Sequence, residues 1–235
     1  MMEAVIDHKN NVWQDRVVFA GYIIVLASPI YAYFLPGAPG YQFNLIKHPV
    51  LYLCSLAILT YSFAVPQYRK WILQSLSLKC SSLKTVAFVG GKVAVWSVIG
   101  YYGIAGVQDF IDVFYPPISV GPTAYDQYAM PLSEFPYYWL EMTLGTFLIV
   151  FIQEISFRCI LYQVALRLPY GVISAIICTS ALFGLWHYWS GFERILETAL
   201  GGSVYAVQTI YSRSLWPAIL THFYINASIM SYYSI

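Results

Sequence analysis

Long apolar stretches broken by short polar connections dominate the chain. A transmembrane helix needs about 20 apolar residues to cross about 30 Å of hydrocarbon. Seven stretches meet that need: Val17–Leu35, Pro49–Pro66, Thr85–Val107, Pro136 to about Leu161, Val172–Trp189, Ile195–Tyr211 and Leu215–Tyr233. The fourth can continue helically to Leu168, because no breaker precedes Leu168-Pro169-Tyr170-Gly171. The runs are continuous rather than alternating with period two, which excludes a transmembrane β-barrel. The pattern predicts an all-α, polytopic membrane helix bundle with about seven, at most eight, crossing helices. We read residues 1–235 as one integral membrane domain, since no internal repeat or low-complexity segment divides it.

Composition sharpens this picture. Of 235 residues, 59% are hydrophobic and 10% charged, where a soluble domain carries about 25% charge. So thin a polar coat excludes a soluble globular protein and a disordered tail. The net charge of +1 leaves no basic field for a polyanion, so no nucleic-acid partner is expected. The 22 Tyr, 7 Trp and 14 Phe suit rings placed at headgroup level. Cys54, Cys80, Cys159 and Cys178 are widely spaced without a CxxC pair and read as small buried hydrophobes. Glu3, Asp7 and Asp15 interrupt the N-terminal segment, which is therefore not read as a secretory signal.

The connections orient the spans. Gln67–Lys84 holds Arg69, Lys70, Lys79 and Lys84, whereas Gln108–Phe135 has no Lys or Arg but carries Asp109, Asp112, Asp126 and Glu134. The positive-inside rule places the first in the cytoplasm and the second outside. Lys9, Arg16, Arg167 and Arg213 agree with a cytoplasmic N-terminus; Lys47 and Arg194 do not. The outer connection, with Pro116-Pro117, Pro122 and Pro131, is expected to be irregular. The expected location is the cytoplasmic membrane of a bacterium or archaeon, with the lipid bilayer as a partner.

An ionisable residue inside a span is expensive and is a functional candidate by default. Here these are Lys92, Glu141, Glu154, Arg158, His187, Glu197 and His222, beside the amides Gln153 and Asn226. Glu154 and Arg158 stand at i and i+4, as do His222 and Asn226, so each pair shares a helix face. Gln153 points about 100° away from Glu154. Glu154 lies 15 residues before Pro169 and His187 lies 18 after it. At about 1.5 Å per residue, two antiparallel helices bring them to nearly one level, roughly 22 and 27 Å from the shared turn. A carboxylate, two imidazoles and an amide in one bundle suit activation of water and stabilisation of an oxyanion at a carbonyl. The same residues also fit blander roles: an interhelical ion pair, an interface histidine beside Trp186 and Trp189, or hydrogen-bond glue between helices. A Glu/His/His zinc site is disfavoured because no HExxH is present; no metal and no cofactor are expected.

Three segments carry a resemblance. Gln153-Glu154-Ile155-Ser156-Phe157-Arg158 looks like the EExxxR motif of the CPBP family, also called ABI or CAAX-protease-like. Phe183-Gly184-Leu185-Trp186-His187 fits its FxxxH motif, and Ser214-Leu215-Trp216-Pro217 through Asn226 resembles its closing SLWPAILxHxxxN segment. The resemblance spans about Phe151–Asn226 and implies an all-helical glutamate intramembrane protease acting on a membrane-anchored protein or peptide. It divides the chain into a three-helix part, 1–134, and a catalytic core, 135–235. Carried over by position, His187 joins the first-motif carboxylate in activating water, and His222 with Asn226 forms the oxyanion site; Arg158 and Phe183 are supporting. The first motif departs from the family: Gln153 stands where the first glutamate belongs, and an amide takes no proton. Three readings follow: Glu154 takes the base role, the chain is a natural pseudoprotease, or the glutamine is an introduced inactivating change.

Other features have simpler expectations. Lys92 snorkels to the cytoplasmic side or pairs with Glu197 or Glu141. Gly201-Gly202 gives the sixth span a small face for close packing, and Glu193-Arg194 reads as a solvated loop pair. Two further function classes compete with the peptidase: a non-catalytic scaffold or immunity protein, motivated by Gln153, and a transporter using Lys92, Glu141 and Glu197. The transporter is disfavoured because no pair of broken half-helices marks a midplane site.

Overall fold

A computed structural model describes residues 49–76, 83–114, 139–187 and 192–232, all of them helical or in the turns between helices. The expected span Val17–Leu35 and most of the proline-rich connection, residues 115–138, lie outside them. Helix α1 (Pro49–Ala64) ends where Pro66 opens α2 (Pro66–Leu76), and α3 covers Leu83–Phe114. Helix α4 covers residues 141–165 and includes two π-helical stretches. Then come α5 (Val172–Leu185), α6 (Phe192–Ser212) and α7 (Trp216–Tyr232). Among the described residues, two helices are long and apolar enough to cross a bilayer by length and composition, Ala87–Val113 and Met142–Ala165. They differ in place: 6% of the first is buried against 72% of the second, so α4 runs through the bundle while α3 flanks it. This all-helical arrangement fits a helical membrane protein.

Two boundaries differ from the sequence reading. The connection Gln67–Lys84 is partly a helix of its own, α2. Its polar residues keep it from reading as a span, but Tyr68, Trp71, Ile72 and Ser75 fall on one face at helical spacing and are buried, while Arg69 and Lys70 stay exposed. The third helix runs past Val107 to Phe114, taking the first residues of the expected outer connection; Gln108 Nε2 donates to Asp112 Oδ1 one turn on at 2.9 Å.

The turns follow their residues. Helix α4 stops at Ala165, earlier than Leu168, and the chain reverses through Leu168-Pro169, with Tyr170 (φ 69°) and Gly171 (φ 53°) in left-handed backbone. Between α6 and α7, Arg213 takes φ 57° and Ser212 Oγ donates to the Ser214 carbonyl. Ser214 then caps α7, its Oγ accepting from the Trp216 amide at 3.3 Å. The start of α7 also closes the end of α2: Leu215 N donates to Ser75 O at 3.0 Å, and Trp216 Nε1 to Leu76 O at 3.0 Å. Carbonyls left over at a helix end thus find donors on another element. These bonds set where α7 begins, and therefore the height of every residue on it.

The core is one cluster around α4. Ile155, Phe157, Ile160 and Leu161 meet Tyr68 and Ile72 of α2, Phe183 and Trp186 of the α5 end, Tyr205 of α6, and Leu215 and Ile219 of α7. Glycines allow the closest approaches. A Cβ on Gly184 would overlap the Ile195 carbonyl oxygen and lie 2.7 Å from the Ala199 Cβ, so α5 and α6 touch there through backbone.

Candidate functional site

Glu154 is the last residue of the α-helical stretch Thr146–Glu154; the helix then widens into a π segment, Ile155–Leu161. Such widened turns re-aim side chains and recur at functional sites. Here Glu154 and Arg158 both point into the bundle with side chains 0% exposed, Oε2 to Nε 3.6 Å apart. Neither charge is tolerable alone at such burial, so each depends on the other and on what surrounds them.

Helix α7 supplies the carboxylate's second partner. His222, itself buried, places Nδ1 2.8 Å from Glu154 Oε1. A carboxylate oxygen accepts, so Nδ1 carries the donated proton and Nε2 is left as the basic nitrogen. Two rings hold the imidazole. Tyr205 of α6 stacks on it at 4.9 Å with planes 17° apart, and Phe183 of α5 stands perpendicular at 5.6 Å.

The same two rings enclose the arginine. The Arg158 guanidinium carbon lies 4.7 Å from the centre of Phe183 and 5.7 Å from those of Tyr205 and Phe157. Among the described residues none of its three nitrogens makes a hydrogen bond; ring faces and Glu154 offset its charge. Gly202 backs this box: a Cβ there would sit 3.1 Å from Arg158 Nη2 and 3.0 Å from Phe183 Cδ1. The small face expected at Gly201-Gly202 thus admits a buried cation.

His187 is placed differently from the expectation of a residue within the fifth span. Helix α5 ends at Leu185, and His187 lies in the turn beyond it. Its Nδ1 donates to the Phe183 carbonyl at 3.0 Å, and its ring lies 5.2 Å from the Phe183 ring. Phe183 therefore contacts both imidazoles. Asn226 is one turn after His222 on α7 and is half-buried. Gln153 is buried. The structure thus gathers Glu154, Arg158, Phe183 and His222 into direct contact, with His187 adjoining through Phe183.

Two sequence readings are corrected. Glu197 does not pair with Lys92; its Oε2 lies 2.6 Å from Arg194 Nη1 on its own helix. Arg194 is not a solvated loop residue either: it belongs to α6 and is half-buried. The side chains of Glu141 and Glu193 lie outside the described set. Among the described residues, no group of three or more His, Cys, Asp or Glu is placed to hold a metal ion.

Tyr205 is the contributor that no motif marks. A signal for it exists in the pattern, since it stands three and four residues after Gly202 and Gly201, on the small face of α6. Its role in the cluster is visible only once α6 and α7 are packed together.

Residues 135–228 match the model of a family described as type II CAAX prenyl endopeptidase, Rce1-like. That stretch contains all three segments that carry the resemblance. No curated protein and no solved structure matches the chain.

Proposed function

We propose that this chain, whose residues 135–228 match the Rce1-like CAAX-protease family model, is an intramembrane peptidase. It hydrolyses a peptide bond of a membrane-anchored or prenylated protein or peptide. The observation that supports this best is the buried 2.8 Å contact between Glu154 Oε1 and His222 Nδ1. A carboxylate that accepts from one imidazole nitrogen holds the other as a base.

Chemistry follows from that pair. Both Glu154 oxygens face neighbours, His222 and Arg158, so the carboxylate works best through the imidazole. Nε2 of His222 takes a proton from water as the water oxygen bonds to the scissile carbonyl carbon. Glu154 stabilises the imidazolium that forms. The carbonyl π electrons move onto oxygen, where Asn226 and His187 are the candidate donors. When the oxyanion collapses, the C–N bond breaks and the imidazolium gives its proton to the leaving amine. This assignment gives His222 the base role, where position-by-position transfer from the family gives it to the oxyanion.

The test is cleavage by the purified chain in detergent, using a prenylated C-terminal peptide and the same peptide without the lipid. We expect the unaltered chain to cleave. Glu154→Gln and His222→Gln should each lower kcat by about 10²–10⁴, the usual worth of a general base. The competing reading, a non-catalytic member, draws on Gln153, a buried amide that takes no proton. Cleavage by Gln153→Glu alone, with none by the unaltered chain, would decide for it.

A further inference from the structure

Tyr205 belongs to none of the three motif segments, yet its ring lies against both partners of Glu154. Its ring lies flat on His222 at 4.9 Å and 17°, and the Arg158 guanidinium carbon lies 5.7 Å from its centre. Phe183 meets His222 at 90° from another helix and stands 6.3 Å from Tyr205. The imidazole is thus gripped by two rings from α6 and α5, while Glu154 on α4 binds its Nδ1. Tyr205 is buried, and it meets His222 through the face of its ring.

We infer that Tyr205 is a positioning residue: its ring, stacked on His222, fixes the imidazole plane so that Nδ1 stays on Glu154 and Nε2 stays turned to the substrate. The physical need is plain. An imidazole rotates about its Cβ–Cγ bond over a broad, roughly two-fold well, and one hydrogen bond restrains that rotation weakly. A stacked aromatic face makes rotation sterically costly and adds the attraction of an aromatic pair. The same ring offers its face to Arg158, so the cation and the imidazole that flank Glu154 share one wall. This inference rests on the reading of the site as hydrolytic, so its test has one arm that needs no activity.

Tyr205→Phe, which keeps the ring, is compared with Tyr205→Leu, and with Tyr205→Met should the leucine form fold poorly. In the first arm, imidazole 15N–1H correlations of labelled protein follow His222 among the four histidines, assigned by its loss in His222→Gln. We expect the unaltered chain and Tyr205→Phe to show one fixed tautomer with Nδ1 protonated. The aliphatic forms should show averaged nitrogens and lose the upfield ring-current shift. In the second arm, peptide cleavage should keep its kcat within about threefold for Tyr205→Phe. It should fall about 10²-fold for the aliphatic forms at nearly unchanged KM, as for a catalytic group displaced by about 1 Å, and Phe in place of Leu should restore it. A fixed Nδ1–H tautomer in Tyr205→Leu, or a kcat within threefold of the parent, would overturn the inference. Absence of cleavage in every form, with the tautomer result as expected, would overturn the hydrolytic reading and leave the positioning of His222 by Tyr205 established.

Discussion

Replacing Gly184 by alanine tests the packing that brings α5 and α6 together behind the site. A Cβ at this position overlaps the Ile195 carbonyl oxygen and meets the Ala199 Cβ at 2.7 Å and the Ala199 Cα at 3.1 Å. Two of these are backbone atoms, so no side-chain rotation relieves the overlap and the helices must separate. Overpacking of this kind costs about 1–3 kcal/mol, and more where backbone must move; we take about 3 kcal/mol. Alanine returns about 1 kcal/mol of helix propensity over glycine, leaving a net loss of about 2 kcal/mol. For a chain of this size that corresponds to a drop of about 4–8 °C in the unfolding midpoint, read by intrinsic fluorescence of detergent-solubilised protein. Gly90 and Gly91 of α3 supply the control, because a Cβ on either meets nothing within 4 Å. Alanine at either should leave the midpoint unchanged or raise it slightly. Gly184 also follows Phe183 directly, so the shift displaces the ring that contacts both imidazoles, and kcat should fall by at least tenfold in the same variant. If Gly184→Ala melts within 2 °C of the parent while Gly90→Ala melts lower, the close approach of α5 and α6 is wrong.

Three further outcomes are expected. Gly100→Ala should destabilise, because its Cβ would overlap the Gln208 amide that donates to Trp96 O at 2.6 Å and Thr221 Oγ1 at 2.9 Å. Adding Gln208→Ala should recover part of that loss, a coupling of about 0.5–3 kcal/mol in a double-mutant cycle of thermal midpoints. Strict additivity would show that the two residues do not meet. Trp216→Phe keeps an aromatic ring but removes the pyrrole part of the indole and with it the Nε1 bond to Leu76 O, so it should cost at least about 1 kcal/mol, and an unchanged midpoint would remove that clamp from the account. Glu197→Gln breaks a pair whose side chains are 21% and 19% exposed. It should cost less than about 1 kcal/mol and leave peptide cleavage unchanged, whereas proton flux into liposomes that vanished with this substitution would support the transporter alternative.

Much of this protein was legible before any packing was known, for local reasons. Helices show as apolar runs because a helix satisfies its own backbone, and a bilayer demands that of every span. Their breaks show because Pro169, Gly171 and Pro66 act within a few residues of themselves. The pairing of Glu154 with Arg158 was legible from spacing alone, since neighbours on one helix face are fixed by its pitch. Helix α2 was hidden for the opposite reason. Its polar half cancels its apolar half in any average over the segment, and only the face that meets α4 reveals it.

What the tertiary structure decided is which of the candidate groups touch. The level argument brought Glu154 and His187 to similar heights, yet the carboxylate lies against His222, and His187 adjoins through Phe183. Height along a helix follows from residue counting, but azimuth does not survive a π segment, and Glu154 is the residue at which α4 widens. The height of His222 was fixed elsewhere again, by the bonds from Leu215 and Trp216 to the end of α2. Tyr205 joined the site for the same reason: stacking between side chains of two helices depends on their packing, which no spacing within one helix encodes. Sequence by itself determined the kinds of group that this bundle buries. Packing of four helices around one widened turn decided their order of contact.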